Sequence, residues 1–501
     1  MFERHHFVAG KERVGTSGRF GPIFNPSTGK QIGQVSLAAK TEVEDVIAVA
    51  QAAFAEWSGT SVVKRARVLQ NLVHILYREK DALAEALALE HGKVFSDAQG
   101  DVQRGLEVAE FAQGIPHLIK GEYSDNVSTG IDMYSMRKSL GVVAGITPFN
   151  FPAMIPLWKS CMAIACGNTY ILKPSEKNPT VPLMLAKCWQ EAGLPDGVFN
   201  VVNGDKEAVD TLCTDPRVKA VSFVGSTPIA QYVYATATAN GKRCQAMGGA
   251  KNHMVIMPDA DLEQVADALI GAAYGSAGER CMAISVAVPV GKAVADKLVA
   301  MLKPRVEALK IGHSMDASAE LGPLVTADHH AKVSGYLDLA EQEGATIVVD
   351  GRNYECTEEG YEGGYYMGGS LYDNVTPDMR TYKEEIFGPT LQILRVETFE
   401  EAVNLPSIHE FGNGTSIYTR DGDTARAYVD QVEVGMVGIN VPIPVPLAFH
   451  SFGGWKSSAF GDINQHGMEG VRFFTKTKTV TSRWPTGIRA GAEFVIPTLN
   501  S

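Results

Sequence analysis

Along residues 40–112 apolar positions recur at spacings of three and four: Val43, Val46, Ile47 and Ala50, then Leu69, Leu72, Val73 and Leu76. That period predicts amphipathic helices. From Gly141 onward short apolar runs alternate with helical ones. Residues 142–147, 169–172, 198–202 and 220–224 read as strands, and 153–165, 181–191 and 206–213 as the helices between them. Such alternation predicts an α/β fold, with a parallel sheet covered by helices on both faces. A second unit begins near Asp259, with helices expected over 262–273 and 293–309 and strands over 286–290, 345–349 and 391–396. The tail 475–494 alternates weakly and contains Pro485, so it is expected to form an edge or arm, as is 131–138. No internal repeat or low-complexity tract is present.

The chain has 501 residues, enough for two or three domains. Its 45% hydrophobic and 20% charged content belongs to a globular, enzyme-sized protein. Forty-five Lys and Arg against fifty-seven Asp and Glu give a net charge of −12, without the cationic excess that nucleic acid or an anionic membrane demands. Two uncharged stretches, 139–158 and 434–455, are long enough to span a bilayer, but each holds three prolines: Pro148, Pro152 and Pro156, then Pro442, Pro444 and Pro446. In lipid these would leave carbonyls unpaired, so both stretches are expected to be buried in protein. Glu3, His5, His6 and Glu12 break up the first fifteen residues, so no secretory signal is expected there. The seven cysteines, Cys161, Cys166, Cys188, Cys213, Cys244, Cys281 and Cys356, are odd in number and lack a Cys-x-x-Cys pair. They do not form a disulfide framework in prospect, and no histidine cluster has metal-ligand spacing. A reducing cytoplasm and no metal are the expectations.

Four segments concentrate the candidate chemistry. Thr147-Pro148-Phe149-Asn150 stands at the carboxyl end of an expected strand, where α/β sheets take ligands. Asn150 either donates to a developing oxyanion or caps the next helix, and in isolation the cap is the simpler reading. Lys173-Pro174-Ser175-Glu176 offers an ammonium and a carboxylate to a sugar-like diol, or forms a solvated loop. In Phe223-Val224-Gly225-Ser226-Thr227 a strand runs into a helix start that either takes a pyrophosphate or is capped by Ser226 or Thr227. It lacks a full G-x-G-x-x-G. In Gly275-Ser276-Ala277-Gly278-Glu279-Arg280-Cys281 the glycines let the backbone bring a thiol close to a ligand, and Arg280 is expected to favour the thiolate.

In this order and spacing, with Glu384-Glu385-Ile386-Phe387-Gly388-Pro389, Gly412-Asn413-Gly414 and Gly438-Ile439-Asn440, these segments make the chain resemble the aldehyde dehydrogenase superfamily over almost its whole length. The resemblance implies a Rossmann-type NAD-binding domain (1–124 and 142–254) and an α/β catalytic domain (255–440). It further implies oligomerisation strands (125–141 and 471–501) and a return to the first domain over 441–470. Cys281 would be the nucleophile, with Asn150 and the Cys281 N–H as oxyanion hole. NAD would be held by Thr147, Phe149, Lys173, Glu176, Lys177, Ser226, Gly248, Glu385 and Phe387. Of these, Lys173 and Glu176 would meet the adenosine ribose, Ser226 the pyrophosphate and Glu385 the nicotinamide ribose, with Phe387 packing nearby. Glu176 disfavours a 2′-phosphate and so NADP, while Lys177 opposes it. The family's dimers and dimers of dimers assemble through the projecting strands.

Hydrolytic members carry Glu-Leu-Gly-Gly-Lys, whose glutamate activates water. Here the run is Gln245-Ala246-Met247-Gly248-Gly249-Ala250-Lys251. Aligned on Lys251 the glutamate's place falls to Met247, or after a one-residue slip to Ala246, and neither accepts a proton. A missing general base is worth about 10²–10⁴-fold, so water should release an acyl group slowly, whereas the thiol of coenzyme A needs less help. This departure, with Gly278-Glu279-Arg280-Cys281 and Asn252-His253, resembles the methylmalonate-semialdehyde dehydrogenase branch of the family. Arg280 and Arg104 are expected to grip a substrate carboxylate. For Arg104 the competing reading is a helix pair with Asp101 or Glu107. His253 is expected to be structural, and Glu279 to be turned away from Cys281. The implied reaction is NAD-dependent oxidation of malonate or methylmalonate semialdehyde through a cysteine thioester. Coenzyme A then takes the acyl group, with decarboxylation giving acetyl- or propionyl-CoA. Two other readings stand beside it: a hydrolytic dehydrogenase for another acidic semialdehyde, and a non-catalytic binding protein. The second is disfavoured by the joint presence of thiol, amide and ribose-binding carboxylates.

Overall fold

The computed structural model describes residues 1–484; Pro485 and the rest of the expected arm to 501 lie outside the described residues. The first alternating unit forms an eight-stranded sheet. Its strands run in the order Ala459–Phe460, Arg243–Met247, Val218–Val224, Val142–Ile146, Thr169–Lys173, Phe199–Val201, His6–Val8 and Lys11–Arg13. The five strands from Arg243–Met247 to Phe199–Val201 are parallel, with Val143 opposite Tyr170 and Ala144 opposite Val221. From Val142–Ile146 the chain first moves outward through Thr169–Lys173 and Phe199–Val201. It then crosses back to lay Val218–Val224 on the other side. That reversal opens a crevice beyond the carboxyl ends of two neighbouring strands, the usual ligand position in doubly wound sheets.

Side chains alternate across each strand, so the sheet feeds two apolar layers. Tyr170 and Leu172 pack with Leu69, Leu72 and Leu76 of helix Val62–His91, Leu106 of Phe95–Ala112 and Leu157 of Met154–Ala165. Ile171 packs on the opposite face with Val43, Val46 and Ile47 of helix Lys40–Gly59 and Val233 of Thr227–Ala239. The residues picked out by helical spacing are thus the buried ones.

The second unit is a seven-stranded sheet ordered Thr346–Val349, Ser370–Asp373, Thr390–Ile393, Ile284–Pro289, Asn252–Ile256, Gly414–Tyr418 and Met436–Ile439. All neighbours are parallel except the first pair. The two segments expected as arms pair with each other: Thr475–Arg483 runs antiparallel to Ile131–Ser139, which also pairs with Tyr123–Ser128.

Among the described residues no single helix is long and apolar enough to cross a membrane. Stretch 139–158 divides between strand Val142–Ile146 and the start of helix Met154–Ala165, mostly buried as expected. Stretch 434–455 corrects the expectation. After strand Met436–Ile439 its prolines, which lack N–H donors, hold an irregular segment at the surface, with Val441 48% and Phe449 58% exposed. All seven cysteines are free.

Candidate active site

The segment Gly248-Gly249-Ala250-Lys251 leaves the carboxyl end of Arg243–Met247 in the first sheet and enters the amino end of Asn252–Ile256 in the second. It therefore joins the crevice of one sheet to the opposite edge of the other. Cys281 lies at that second edge, just before Ile284–Pro289.

The loop leading to Cys281 is strained. Ser276, Ala277 and Gly278 have φ of 55°, 53° and 69°. Left-handed backbone costs a non-glycine residue about 1–2 kcal/mol, so the loop must be held from outside. Asp97 does this: one carboxylate oxygen accepts the Ser276 N–H at 2.8 Å and the other accepts Arg280 Nη2 at 2.5 Å. A Cβ on Gly278 would strike the Gly388 carbonyl, which leaves no room for another residue. Asn252 Nδ2 and Asn413 Nδ2 each donate to the Cys281 carbonyl at 3.0 Å. Neither asparagine had an expected role beyond its motif.

Asn150 does not cap a helix. Helix Met154–Ala165 follows Ala153, and its first N–H donates to Asp101 Oδ1 at 2.7 Å. The buried Asn150 amide instead donates from Nδ2 to the Glu279 carbonyl at 3.0 Å, while its backbone carbonyl accepts from Lys93 Nζ at 2.6 Å. Nδ2 carries two hydrogens, so one remains for a ligand.

The expectation that Arg280 favours the thiolate is corrected. Its guanidinium is turned to Asp97, and the Cys281 thiol is pushed up to about 12, by burial first and by the Glu385 charge second. The surroundings of Cys281 thus favour the protonated thiol. Met247 and Ala246, adjacent on one strand, face opposite sides: Met247 joins the apolar cluster against which Cys281 packs, Ala246 the cluster on the other face. The residue on the Cys281 side is thus Met247, contacted at sulfur by Gln465 Nε2 at 3.1 Å. His253 is buried and bound to the Tyr382 hydroxyl at 2.9 Å, as a structural histidine should be.

On the first sheet's edge, Thr147 Oγ1 is buried without a partner. Ser226 precedes helix Thr227–Ala239 but its side chain caps nothing, and Thr227 Oγ1 accepts the Gly249 N–H at 2.7 Å. The capping reading is thus set aside, and the helix start keeps donors for a phosphate. At Gly248 a Cβ would come within 2.9 Å of the Ser457 carbonyl, and the Gly248 N–H donates to the Ser458 carbonyl at 2.9 Å, so this turn is packed closely against the segment that follows Trp455. Lys173 is buried and 3.5 Å from Glu176; burial holds its ammonium below the ordinary lysine range, with Glu176 opposing. Glu385 is pushed up by burial and accepts the Ala250 N–H at 2.9 Å. Phe149 and Phe387 meet edge to face at 6.0 Å, and Lys177 Nζ lies 4.7 Å above the Phe149 ring. An unpartnered hydroxyl and an uncapped helix start fit a dinucleotide.

Arg280, Cys281 and Glu385 line one small cavity. Arg104 is not among its lining residues. There the helix pair forms, Nη1 to Glu107 at 2.8 Å, while Nη2 donates to the Val445 and Pro446 carbonyls at 3.3 and 3.1 Å. Sequence reasoning missed Asp97, Lys93, Asp101, His91 and His329. Their signal, charged residues near helix ends, is the same as that of a solvated turn.

A thiol at one sheet edge, beside an amide donor and across from the crevice of the other sheet, is the arrangement of an oxidoreductase. Residues 14–480 match the aldehyde dehydrogenase family, and the chain belongs to that family. It is 55% identical over 496 residues, 99% of each chain, to a malonate-semialdehyde dehydrogenase of Pseudomonas aeruginosa. Its structure matches that of methylmalonate-semialdehyde dehydrogenase from Oceanimonas doudoroffii with TM-score 0.96 and 54% identity, over 97% of this chain and 99% of the other. A Sinorhizobium meliloti protein crystallised with NAD matches with TM-score 0.96 and 57% identity, again over 97% and 99%.

Proposed function

We propose that this protein oxidises malonate or methylmalonate semialdehyde with NAD and passes the acyl group from Cys281 to coenzyme A, with loss of the β-carboxylate. The observation that carries the choice of acceptor is Met247: a thioether, held by Gln465, occupies the Cys281 side of the strand where a water-activating carboxylate would stand. The near full-length relatives that act on these semialdehydes support the substrate class.

Lys173 and Glu176 would hold the adenosine ribose, Ser226 and the helix start behind it the pyrophosphate with Gly248 beside them, and Glu385 the second ribose, with Thr147, Phe149, Lys177 and Phe387 around them. When bound, NAD supplies the hydride acceptor. The Cys281 thiol releases its proton to solvent as its sulfur bonds to the aldehyde carbon, and the new oxyanion accepts hydrogen bonds from the free Asn150 Nδ2–H and the Cys281 N–H. Arg280, already paired with Asp97, grips the substrate carboxylate from beside the nucleophile. Arg104 is assigned a second contact, since its Nη2 side meets only carbonyls. The acyl group on sulfur loses its β-carboxylate as carbon dioxide, a solvent proton taking its place on carbon; the coenzyme A thiolate attacks the thioester carbonyl and the Cys281 sulfur leaves.

In this reading 1–124 and 142–254 carry the cofactor, 255–440 the nucleophile, and 441–470 returns to the first domain. The strands within 125–141 and 471–501 join subunits into a dimer of dimers. A cytoplasmic location accords with seven free cysteines. The test is a panel of short aldehydes with and without coenzyme A, with identification of the acyl product. Acetyl- or propionyl-CoA formed from the carboxylated semialdehydes is expected. Free acid formed at the same rate without coenzyme A would favour the hydrolytic alternative.

A further inference from the structure

Glu279 is close to Cys281 in sequence, yet its side chain runs into the protein. Oε1 accepts the Val325 N–H at 3.2 Å and lies 3.6 Å from His329 Nε2. Oε2 is buried without a hydrogen bond, 3.8 Å from His91 Nε2, which is also buried and unpartnered. His91 Nδ1 accepts the Lys93 N–H at 3.3 Å, so the neutral ring carries its hydrogen on Nε2, directed toward Glu279. His329 Nε2 meets the Phe387 carbonyl at 2.6 Å and is likewise a donor. The ammoniums of Lys93 and Lys177 complete the charged groups that act on Glu279. One side chain thus ties the nucleophile loop to the end of helix Val62–His91 and to the segment that enters helix Ala327–Gln342.

The carbonyl of the same residue receives the Asn150 amide at 3.0 Å. The main chain of Asn150 is fixed separately, by Lys93 on its carbonyl. The direction of the amide relative to Cys281 therefore depends on where Glu279 is held.

We propose that Glu279 is a positioning residue for the oxyanion donor: its side chain, wedged between His91 and the Val325 N–H, fixes the carbonyl that aims the Asn150 amide at the carbon attacked by Cys281. This rests on the reading of Asn150 as oxyanion donor. Burial pushes the Glu279 carboxyl up to about 8, toward the uncharged acid, and glutamine keeps its shape and its acceptor oxygen without the charge.

The experiment compares kcat for NADH formation in Glu279→Ala, Glu279→Gln, Asn150→Ala and the Asn150→Ala/Glu279→Ala double variant of the full chain. The rate of Cys281 alkylation by iodoacetamide, followed on its peptide, and the melting temperature are measured alongside. Glu279→Ala is expected to lower kcat at least about tenfold with KM for NAD nearly unchanged, and Glu279→Gln to recover most of that loss. Alkylation, which uses no oxyanion donor, should stay near the parent rate. The double variant should be no slower than Asn150→Ala, because the effect passes through Asn150. Should Glu279→Ala fail to fold, Glu279→Asp, which withdraws the acceptor, replaces it with the same expected loss. A Glu279 variant at parental kcat while Asn150→Ala is crippled overturns the positioning role alone. Additive losses, or Glu279→Gln as slow as Glu279→Ala, also overturn it. An unimpaired Asn150→Ala overturns the oxyanion reading beneath it.

Discussion

The two walls of the cleft are built in opposite ways. The first sheet presents carboxyl ends of strands, where Thr147, Lys173 and Ser226 stand close to their own strands and the Thr147 and Ser226 hydroxyls are left open. The second sheet presents an amino edge. There Cys281 sits on a strained loop fastened by side chains from distant segments: Asp97, Asn252 and Asn413. A wall that receives a whole molecule works by open donors. A wall that must hold one atom in place works by cross-bracing. Damage to the first should therefore appear in KM for the cofactor, and damage to the second in kcat.

The largest expected effect is on the second wall. Cys281→Ala should abolish NADH formation, and substantial surviving turnover would break the comparison outright. Next is Arg280→Ala, expected to lower kcat/KM for malonate semialdehyde about 10²-fold and for propanal far less. Equal losses on both would mean that the guanidinium serves only to brace the loop through Asp97, so Asp97→Asn is the control. Lys173→Ala, on the first wall, should raise KM for NAD about tenfold with kcat little changed, as loss of one charge-assisted contact predicts. A fall in kcat instead would erase the distinction between the walls. The smallest effect is a gain: Met247→Glu should raise acid formation without coenzyme A several-fold, read by product analysis. No change would show that the missing base does not limit hydrolysis.

The first wall was largely legible in the sequence. Its elements are local, strand then turn then helix, and periodicity places them: residues 169–172 were expected as a strand and Thr169–Lys173 is one. Asn150 was legible as a polar residue at a strand end and as a candidate donor, but its partner, the Glu279 carbonyl, was not, because it is 129 residues away. The bracing of Cys281 was invisible for the same reason, and Arg280 misled because Asp97, which takes its charge, sits on another helix. Helix Ala327–Gln342 escaped because it buries only Val333, Leu337 and Ala340, a stripe too thin to stand out from its polar surroundings. Segment 434–455 was expected to be buried because hydropathy counts side chains, while its prolines decide the backbone. The choice between Met247 and Ala246 needed the strand's two faces, which only the packed sheet supplies.

The central claim, an acyl group carried on one sulfur and handed to a thiol, is tested most directly by mass spectrometry of the intact protein. The protein is mixed with NAD and semialdehyde without coenzyme A, then given coenzyme A. The account predicts an acyl adduct that maps to the Cys281 peptide, persists in water and disappears when coenzyme A is added. An adduct on another residue, or one that water removes as fast as coenzyme A does, would contradict it.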